Sequence, residues 1–274
     1  MSLEAQGRRA WDDWADVDPL WAIRTEAERS HGRWNLDEFF ASGRDTIASI
    51  IAEAGELERP KSFGVALDFG CGVGRLTQPL AEHFEVTYGL DIAPRMIEQA
   101  NELHQGADRC EFRVQHDDDL RQFDDASIDF VCCLLVLQHI PSRSAIETYL
   151  REFVRVLTPG GVAVLQLPTF VPPKAAPTTL RARLAIRTRV TAALRRLGIA
   201  PKFLYERLGW APEMPMTAIP RADALAVFES AGGTALRVSE FAGDPGGVEG
   251  CVYFVARLDR APVDRAPADS AQGT

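Results

Sequence analysis

The sequence lacks the features that mark membrane-spanning, secreted and disulfide-stabilised proteins. Its longest apolar runs stay below the roughly 20 residues that a membrane-spanning helix needs. The segment Met1–Arg9 has no apolar core of the kind found in secretion signals. The five cysteines are an odd number and mostly fall in predicted strands, without metal-ligand spacing, which favours reduced thiols. We therefore expect a cytoplasmic protein without stable insertion into a membrane.

Positive charge is also scarce. The 274 residues contain 30 lysines and arginines against 39 aspartates and glutamates, which gives a formal net charge of -9. Because binding to a nucleic-acid backbone relies on clustered cations, this balance argues against a nucleic-acid partner. Hydrophobic residues make up 46% of the chain, so it can bury a full core, and its length favours one α/β domain with additions.

What the sequence does contain is an apolar stretch that leads into three alternating glycines. Val65–Phe69 is predicted to form a strand, Gly70, Gly72 and Gly74 follow it, and a second predicted strand ends at Asp91. Glycine lets the backbone turn sharply and approach a ligand closely. A carboxylate at the end of the next strand can accept both hydroxyls of a ribose. The pattern predicts a nucleoside-binding crevice.

The spacing of these glycines disfavours a dinucleotide-binding enzyme. In the fingerprint G-x-G-x-x-G the third glycine comes three positions after the second. Here the third glycine is Gly74, two positions after Gly72, and Arg75 stands where the fingerprint requires glycine. A nicotinamide-dependent oxidoreductase is therefore the weaker alternative.

The stretch from Asp68 to Gly74 has the pattern D-x-G-x-G-x-G and resembles the first motif of the class I S-adenosylmethionine-dependent methyltransferases. Later stretches resemble later parts of that family in the same order. They are Phe112–Leu120 for the third strand and the acidic loop beside the adenine, Ser127–Leu135 for the fourth strand, Val136–Pro141 for the turn after it, and Glu152–Leu165 for the next helix, a Pro-Gly-Gly turn and the fifth strand. The resemblance is close over residues 63–168.

The resemblance, together with strands that alternate with stretches of helix length, implies an α/β fold. The expected architecture is a doubly wound, mostly parallel seven-stranded sheet with an antiparallel edge hairpin, N-terminal helices and a helical lid insertion. Five strands are predicted near residues 64–69, 86–90, 110–115, 128–134 and 162–167. The predicted domains are an N-terminal helical cap over 1–60, a cofactor-binding core over 61–168, a basic helical insertion over 169–220, a C-terminal helix and strands over 221–258, and a disordered tail over 259–274.

The resemblance also implies S-adenosylmethionine as the cofactor and S-adenosylhomocysteine as its product, with no metal, since the sulfonium already carries a good leaving group. Asp91 has the family's ribose-binding position, Asp117 or Asp118 would meet the adenine amino group, and Arg44 could pair with the donor's carboxylate. The full set of cofactor-binding candidates is Arg44, Asp68, Gly70, Gly72, Gly74, Asp91, Ile92, Asp117, Asp118 and Leu134. Structural interpretations stay open: Asp68 can bond the amides of the glycine loop, the loop aspartates can form a surface turn, and Arg44 can be an ordinary surface arginine.

His139 is the candidate catalytic residue, because it follows the fourth predicted strand where the acceptor should approach. Its alternative role is to order the turn over residues 138–141. The predicted reaction is methyl transfer to a small-molecule acceptor, for which an anion is one option, with O-methylation preferred to N- or C-methylation. A catalytically silent nucleoside-binding regulatory protein is the alternative from another class, and the oligomeric state is open.

Two further features concern the surroundings of the crevice. Four tryptophans precede the sheet, and we expect them to pack the N-terminal helices over the crevice, with acceptor stacking as the alternative. Between residues 172 and 202 there are eight cations and no acidic residue, on a predicted helix where Ile186, Val190, Leu194 and Leu197 share a side. This basic segment has three interpretations: a solvated face packed on the acidic body, a substrate lid, or a membrane-surface contact.

Overall fold

The fold is built on a seven-stranded sheet, seen in a computed structural model that describes residues 3–117, 119–172, 178–212, 214–242 and 247–258. The strands are β1 Val65–Phe69, β2 Val86–Asp91, β3 Cys110–Val114, β4 Ile128–Cys133, β5 Leu157–Phe170, β6 Gly233–Ala242 and β7 Glu249–Arg257. Their order across the sheet is β3-β2-β1-β4-β5-β7-β6. β1 to β5 pair in parallel, and β7 runs antiparallel to both β5 and β6. The predicted α/β fold class is confirmed, with its antiparallel edge hairpin.

Helices cover both faces of the sheet and extend beyond it at the N-terminal side. They are α1 Leu3–Val17, α2 Pro19–Ile23, α3 Leu36–Glu56, α4 Thr77–Leu80, α5 Pro94–Leu103, α6 Arg143–Val156, α7 Thr178–Arg196, α8 Pro201–Leu208 and α9 Arg221–Ser230, with short 3₁₀ turns at Ala27–Arg29 and Leu137–His139. Local sequence explains several boundaries. The Asn35 side chain accepts the Glu38 amide at the start of α3, and Pro94 opens α5, where its missing N–H costs nothing.

The strand order places the candidate residues together. It reverses between β1 and β4, so the carboxyl ends of these neighbours flank a crevice at the switch point, the position where open α/β sheets bind ligands. The register sets Asp68 of β1 beside Gly89 of β2 and Cys132 of β4. All six residues of β4 are buried, as expected for a central parallel strand covered on both faces.

β5 is longer than its apolar sequence indicates. The strand was predicted over residues 162–167 after a Pro-Gly-Gly turn, whereas it spans Leu157–Phe170. Leu157 already pairs with Ile128, and a register shift then lets Val162 pair with Phe130. The Pro-Gly-Gly residues therefore lie within β5 as an irregularity, because β4 pairs with β5 both before and after them.

The N-terminal helices pack against the crevice side of the sheet through one apolar cluster. Trp14, Phe39, Val73, Met96 and Tyr205 lie in it together, and so α1, α3, the glycine loop, α5 and α8 share a single core. Trp14 is buried and its ring centroid lies 5.4 Å from that of Trp21 and 5.9 Å from that of Tyr205. The expectation that tryptophans pack these helices holds for this cluster.

The basic insertion returns to the sheet through backbone hydrogen bonds. Its helices α7 and α8 are followed by an extended segment in which the Thr217 amide donates to the Gln138 carbonyl at 2.7 Å and the Ile219 amide to the Pro168 carbonyl at 2.9 Å. The predicted domain boundaries stay predictions, and the tail over residues 259–274 lies outside the described residues. None of the five cysteines forms a disulfide, and Cys110 alone among them is not fully buried.

Candidate active site

A mostly apolar cavity opens where β1, β2 and β4 end. The strand ends contribute Gly70, Gly72, Asp91, Ile92 and Leu134, with Gln115 just beyond β3. The N-terminal helices and the segment from β4 into α6 contribute Trp11, Ile23, Leu135, His139, Ile140 and Tyr149. The cavity therefore joins the predicted nucleoside-binding elements to a second wall that comes from distant parts of the chain.

The glycine loop is shaped by close neighbours that exclude a side chain. Gly70 has φ +77° and Gly72 has φ +54°, both in the left-handed region that favours glycine. A β-carbon on Gly70 would lie 2.3 Å from a methyl of Val136, and one on Gly72 would lie 2.5 Å from the end of Ile23. The loop thus fits closely between the segment after β4 and α2, and the pattern of glycines follows from packing as well as from ligand approach.

Asp91 ends β2 and faces both the glycine loop and the cavity. One carboxylate oxygen accepts the Gly72 amide at 2.9 Å and the other accepts the Ala93 amide at 2.8 Å. Since an ionised carboxylate offers about four lone-pair sites, these two bonds leave it acceptor capacity for ribose hydroxyls. Burial raises the pKa of Asp91 to about 6, opposed by these amide bonds. The carboxylate is ionised at neutral pH.

Asp68 lies beneath the glycine loop and does not line the cavity. Its carboxylate accepts the Thr77 hydroxyl at 2.6 Å, and burial raises its pKa to about 6. The positive charge of Arg75, whose buried side chain donates to the Ser42 hydroxyl, opposes that rise. These contacts tie β1 to α4 and α3, and the ligand contact predicted for Asp68 stays a prediction.

The acidic loop after β3 is organised by a residue that the sequence did not single out. The buried Gln115 donates through its amide to the carbonyls of Asp117 and Asp119, at 2.7 and 2.5 Å, and accepts from the Gln122 side chain at 2.7 Å. Asp117 is exposed and contributes its carbonyl rather than its carboxylate to these bonds. Asp118 lies outside the described residues.

His139 stands on the second wall of the cavity with a defined hydrogen-bonding pattern. Its Nδ1 lies 3.1 Å from the Pro215 carbonyl oxygen, and its Nε2 lies 3.0 Å from the Gln138 amide nitrogen. A carbonyl oxygen can only accept, so Nδ1 carries the proton and Nε2 holds a lone pair. Burial lowers the pKa of His139 below its usual value, which keeps the ring neutral at pH 7.

Residues 67–165 match the family model of the methyltransferase domain. This segment is therefore a methyltransferase domain of the class I S-adenosylmethionine-dependent type. The matched residues run from β1 into β5 and include the glycine loop, Asp91 and His139.

Curated relatives of this methyltransferase domain include ubiquinone biosynthesis O-methyltransferases. The protein from Xanthomonas oryzae pv. oryzae is 35% identical over 97 residues, which cover 35% of this chain and 39% of that protein. The protein from Xanthomonas campestris pv. campestris is 34% identical over 101 residues, covering 36% and 41%. The match thus spans about two fifths of the length of these relatives.

Solved structures resemble this methyltransferase over most of its length. The magnesium protoporphyrin IX methyltransferase from Synechocystis PCC 6803, solved with bound SAH, has a TM-score of 0.57 at 20% identity and covers 93% of this chain and 100% of that one. A SAM-dependent methyltransferase from Leishmania major has a TM-score of 0.58 at 13% identity, covering 93% and 86%. At these identities the likeness supports the fold.

Placement differs among the remaining residues predicted for the methyltransferase site. Ile92 and Leu134 line the cavity, whereas Arg44 is exposed on α3 and contributes nothing to the described lining. Gly74 lies at the outer side of the loop, where a β-carbon would meet the His104 and Phe112 rings. The roles assigned to these residues stay predictions. Two lining residues that were not predicted, Gln115 and Tyr149, carry no motif of their own. Gln115 reaches the cavity from the end of β3, and Tyr149 reaches it from α6.

The residues present fit the family's cofactor. The cradle at Gly70 and Gly72 would be filled by a β-carbon, Asp91 keeps acceptor capacity toward the cavity, and the apolar Ile92 and Leu134 can flank an adenine. In the described part of the chain no group of three or more metal-ligating side chains comes together. None of the helices over the described ranges is long and apolar enough to cross a membrane.

Proposed function

We propose that the protein transfers a methyl group from S-adenosylmethionine to the hydroxyl of an uncharged, largely apolar small molecule. The observation that carries this proposal is the position of the neutral His139 on a cavity that also holds Asp91 and the glycine loop. When bound, the cofactor supplies a methyl on a positively charged sulfur with a good leaving group. The chain's residues hold the reactants and take one proton.

The preference for an uncharged acceptor rests on the charge of the lining. Among the described residues, no lysine or arginine lines the cavity, and Asp91 is its carboxylate. An anionic acceptor, as entertained from the sequence, would have no cation there to pair with. The apolar wall of Trp11, Ile23 and Leu135 favours a ring or a chain instead, and the Trp11 ring stands edge-on to His139 with centroids 5.2 Å apart.

Oxygen is the preferred atom because a hydroxyl needs a base and an amine does not. The Nε2 lone pair of His139 accepts the proton of the acceptor hydroxyl, while Nδ1–H stays bonded to the Pro215 carbonyl. The Gln138 amide, 3.0 Å from Nε2, must give way to the acceptor. Holding the reactants in line lowers the barrier further, since well-oriented reactants gain about 7 to 11 kcal/mol.

The test is turnover with S-adenosylmethionine and a panel of phenols, aliphatic alcohols and amines. The rate is measured as the formation of S-adenosylhomocysteine. We expect phenols or alcohols to react and kcat to fall about 10² to 10⁴-fold in His139→Asn, with unchanged affinity for S-adenosylhomocysteine. Asparagine keeps an amide N–H for the Pro215 carbonyl, so it preserves an ordering role and removes the base.

The control is His83→Asn, an exposed histidine away from the cavity, which should leave kcat unchanged. Full turnover in His139→Asn would remove the base and with it the argument for oxygen. Tight S-adenosylhomocysteine binding without transfer to any acceptor would favour the silent regulatory protein, and a higher affinity for NAD would favour the oxidoreductase.

A further inference from the structure

The insertion exposes large apolar side chains that neither the cavity nor the core uses. The exposed fractions are 59% for Ile186 and 40% for Val190 on α7, and 79% for Leu197 directly after it. On α8 they are 52% for Phe203 and 49% for Leu208. Single exposed apolar residues need no explanation, but five along two consecutive helices do. Together with the exposed cations Arg189, Arg196, Lys202 and Arg207, they form what we call the basic-apolar surface.

The apolar residues of α7 lie on one side of the helix. At 100° per residue, Val190 and Leu197 fall within about 40° of Ile186 around the axis, and the exposed Ala193 lies between them. Leu194, which the sequence placed on the same side, is half-buried and turns toward the protein. The outward stripe is therefore narrower than predicted, and none of its residues is among those that line the cavity.

Cations flank this stripe. Arg189 and Arg196 are exposed beside it on α7, and Lys202 and Arg207 are exposed on α8. The sequence from residue 172 to 202 has eight cations and no acidic residue, within a chain whose net charge is -9. The positive charge is thus concentrated on the element that also exposes the apolar side chains.

The helix is held in this orientation by its inner side. Arg195 forms an ion pair with Asp13 of α1, and both side chains are largely buried. Tyr205 of α8 is buried in the N-terminal cluster and accepts the His31 amide at its hydroxyl. These anchors use the inward face of the insertion, so the basic-apolar surface stays available outside.

We propose that the basic-apolar surface docks on an anionic lipid bilayer. Apolar side chains beside cations are the composition of helices that lie in the membrane interface, where they combine apolar burial with attraction to acidic headgroups. A purely solvated face would not expose Leu197 and Ile186 so fully, and a lid would turn them toward the cavity. Association with a second copy through this surface would bring like charges together. The proposal does not depend on the reaction proposed above.

The experiment is flotation of the full chain with vesicles of phosphatidylglycerol and phosphatidylcholine, compared with vesicles of phosphatidylcholine alone, at low and high salt. We expect binding to the anionic vesicles that weakens as salt rises, and little binding to the neutral ones. The double variant Arg189→Glu/Arg196→Glu should bind at least tenfold more weakly. The variant Leu197→Ser should weaken binding about threefold or more by removing apolar burial.

Matched controls keep the test decisive. Arg109→Glu and Leu103→Ser change an exposed arginine and an exposed leucine outside the insertion, and both should bind vesicles as the unaltered protein does. Affinity for S-adenosylhomocysteine shows that each variant is folded. Equal binding to both vesicle types, no binding to either, or unchanged binding in the charge-reversal variant would overturn the proposal. So would concentration-dependent dimerisation that Leu197→Ser abolishes.

Discussion

The two walls of the cavity are built in different ways. The wall from the strand ends is local: Gly70, Gly72 and Asp91 lie within 22 residues of one another and are joined by the bond from the Gly72 amide to Asp91. The opposite wall is assembled from distant segments, since Trp11 of α1 packs edge-on to His139, which in turn bonds Pro215 at the end of the insertion. One sequence motif is enough to predict the first wall. The second wall forms only when the N-terminal helices and the insertion pack against the segment after β4.

The most severe test of the local wall is Gly70→Val. Its branched side chain would meet Val136 at less than contact distance and would need a left-handed backbone that valine rarely adopts. We expect affinity for S-adenosylhomocysteine to fall at least 100-fold in calorimetry. The matched control is Gly55→Ala, where a β-carbon has no neighbour within 4 Å, and it should bind normally. Near-normal binding by Gly70→Val would mean that the loop does not cradle the ligand.

The second test uses pH on the same wall. The folded-state pKa of Asp91 is raised to about 6, so its carboxylate is ionised above that pH and becomes protonated below it. If the ionised form accepts the ribose hydroxyls, affinity for S-adenosylhomocysteine should fall about tenfold between pH 7 and pH 5. Titration calorimetry at several pH values measures this, and in Asp91→Asn the weakened affinity should not depend on pH over this range. A profile for Asp91→Asn that still falls toward pH 5 would assign the effect to another group, such as Asp68.

The assembled wall is tested by Trp11→Ala. Removing the indole takes away an apolar surface of the cavity and an aromatic contact with His139, worth about 1 kcal/mol. We expect KM for the acceptor to rise about fivefold, with affinity for S-adenosylhomocysteine unchanged. Trp34→Ala serves as the control, because Trp34 belongs to the N-terminal cluster and does not line the cavity. A loss of cofactor affinity in Trp11→Ala with an unchanged KM would place Trp11 on the other wall.

The smallest expected effect concerns Gln138→Leu. The amide of Gln138 donates to Nε2 of His139 and so favours the neutral ring, and its loss should raise the pKa of that histidine slightly. The acidic limb of the pH profile of kcat/KM should move upward by a few tenths of a pH unit, with kcat changed about twofold or less. Gln78→Leu, which removes a surface bond to Glu82, is the matched control. An unmoved limb would show that His139 does not govern that limb.

The local features of the fold could be predicted from the sequence, because each depends on residues that are neighbours in the chain. The strands at β1 to β4, the helix opened by Pro94 and the positions of the alternating glycines all follow from short-range patterns. The role predicted for Arg44 stays a prediction, but its position shows what local patterns leave open. It was chosen for its charge and its place before the sheet, yet it is exposed on α3, while the buried Arg75 lies at the glycine loop beside Asp68. Which arginine turns inward depends on how α3 packs, and no local pattern records that.

By itself the sequence determined the α/β fold class, the parallel strand series and the glycine-aspartate pair, because backbone turns and apolar periodicity act over a few residues. Tertiary structure decided the rest: that Trp11 and His139 share a cavity, that Pro215 fixes the proton on Nδ1, and that Ile186 and Leu197 face outward. These facts depend on contacts between residues far apart in the chain, and such contacts form only when separate elements bury their apolar faces against one another.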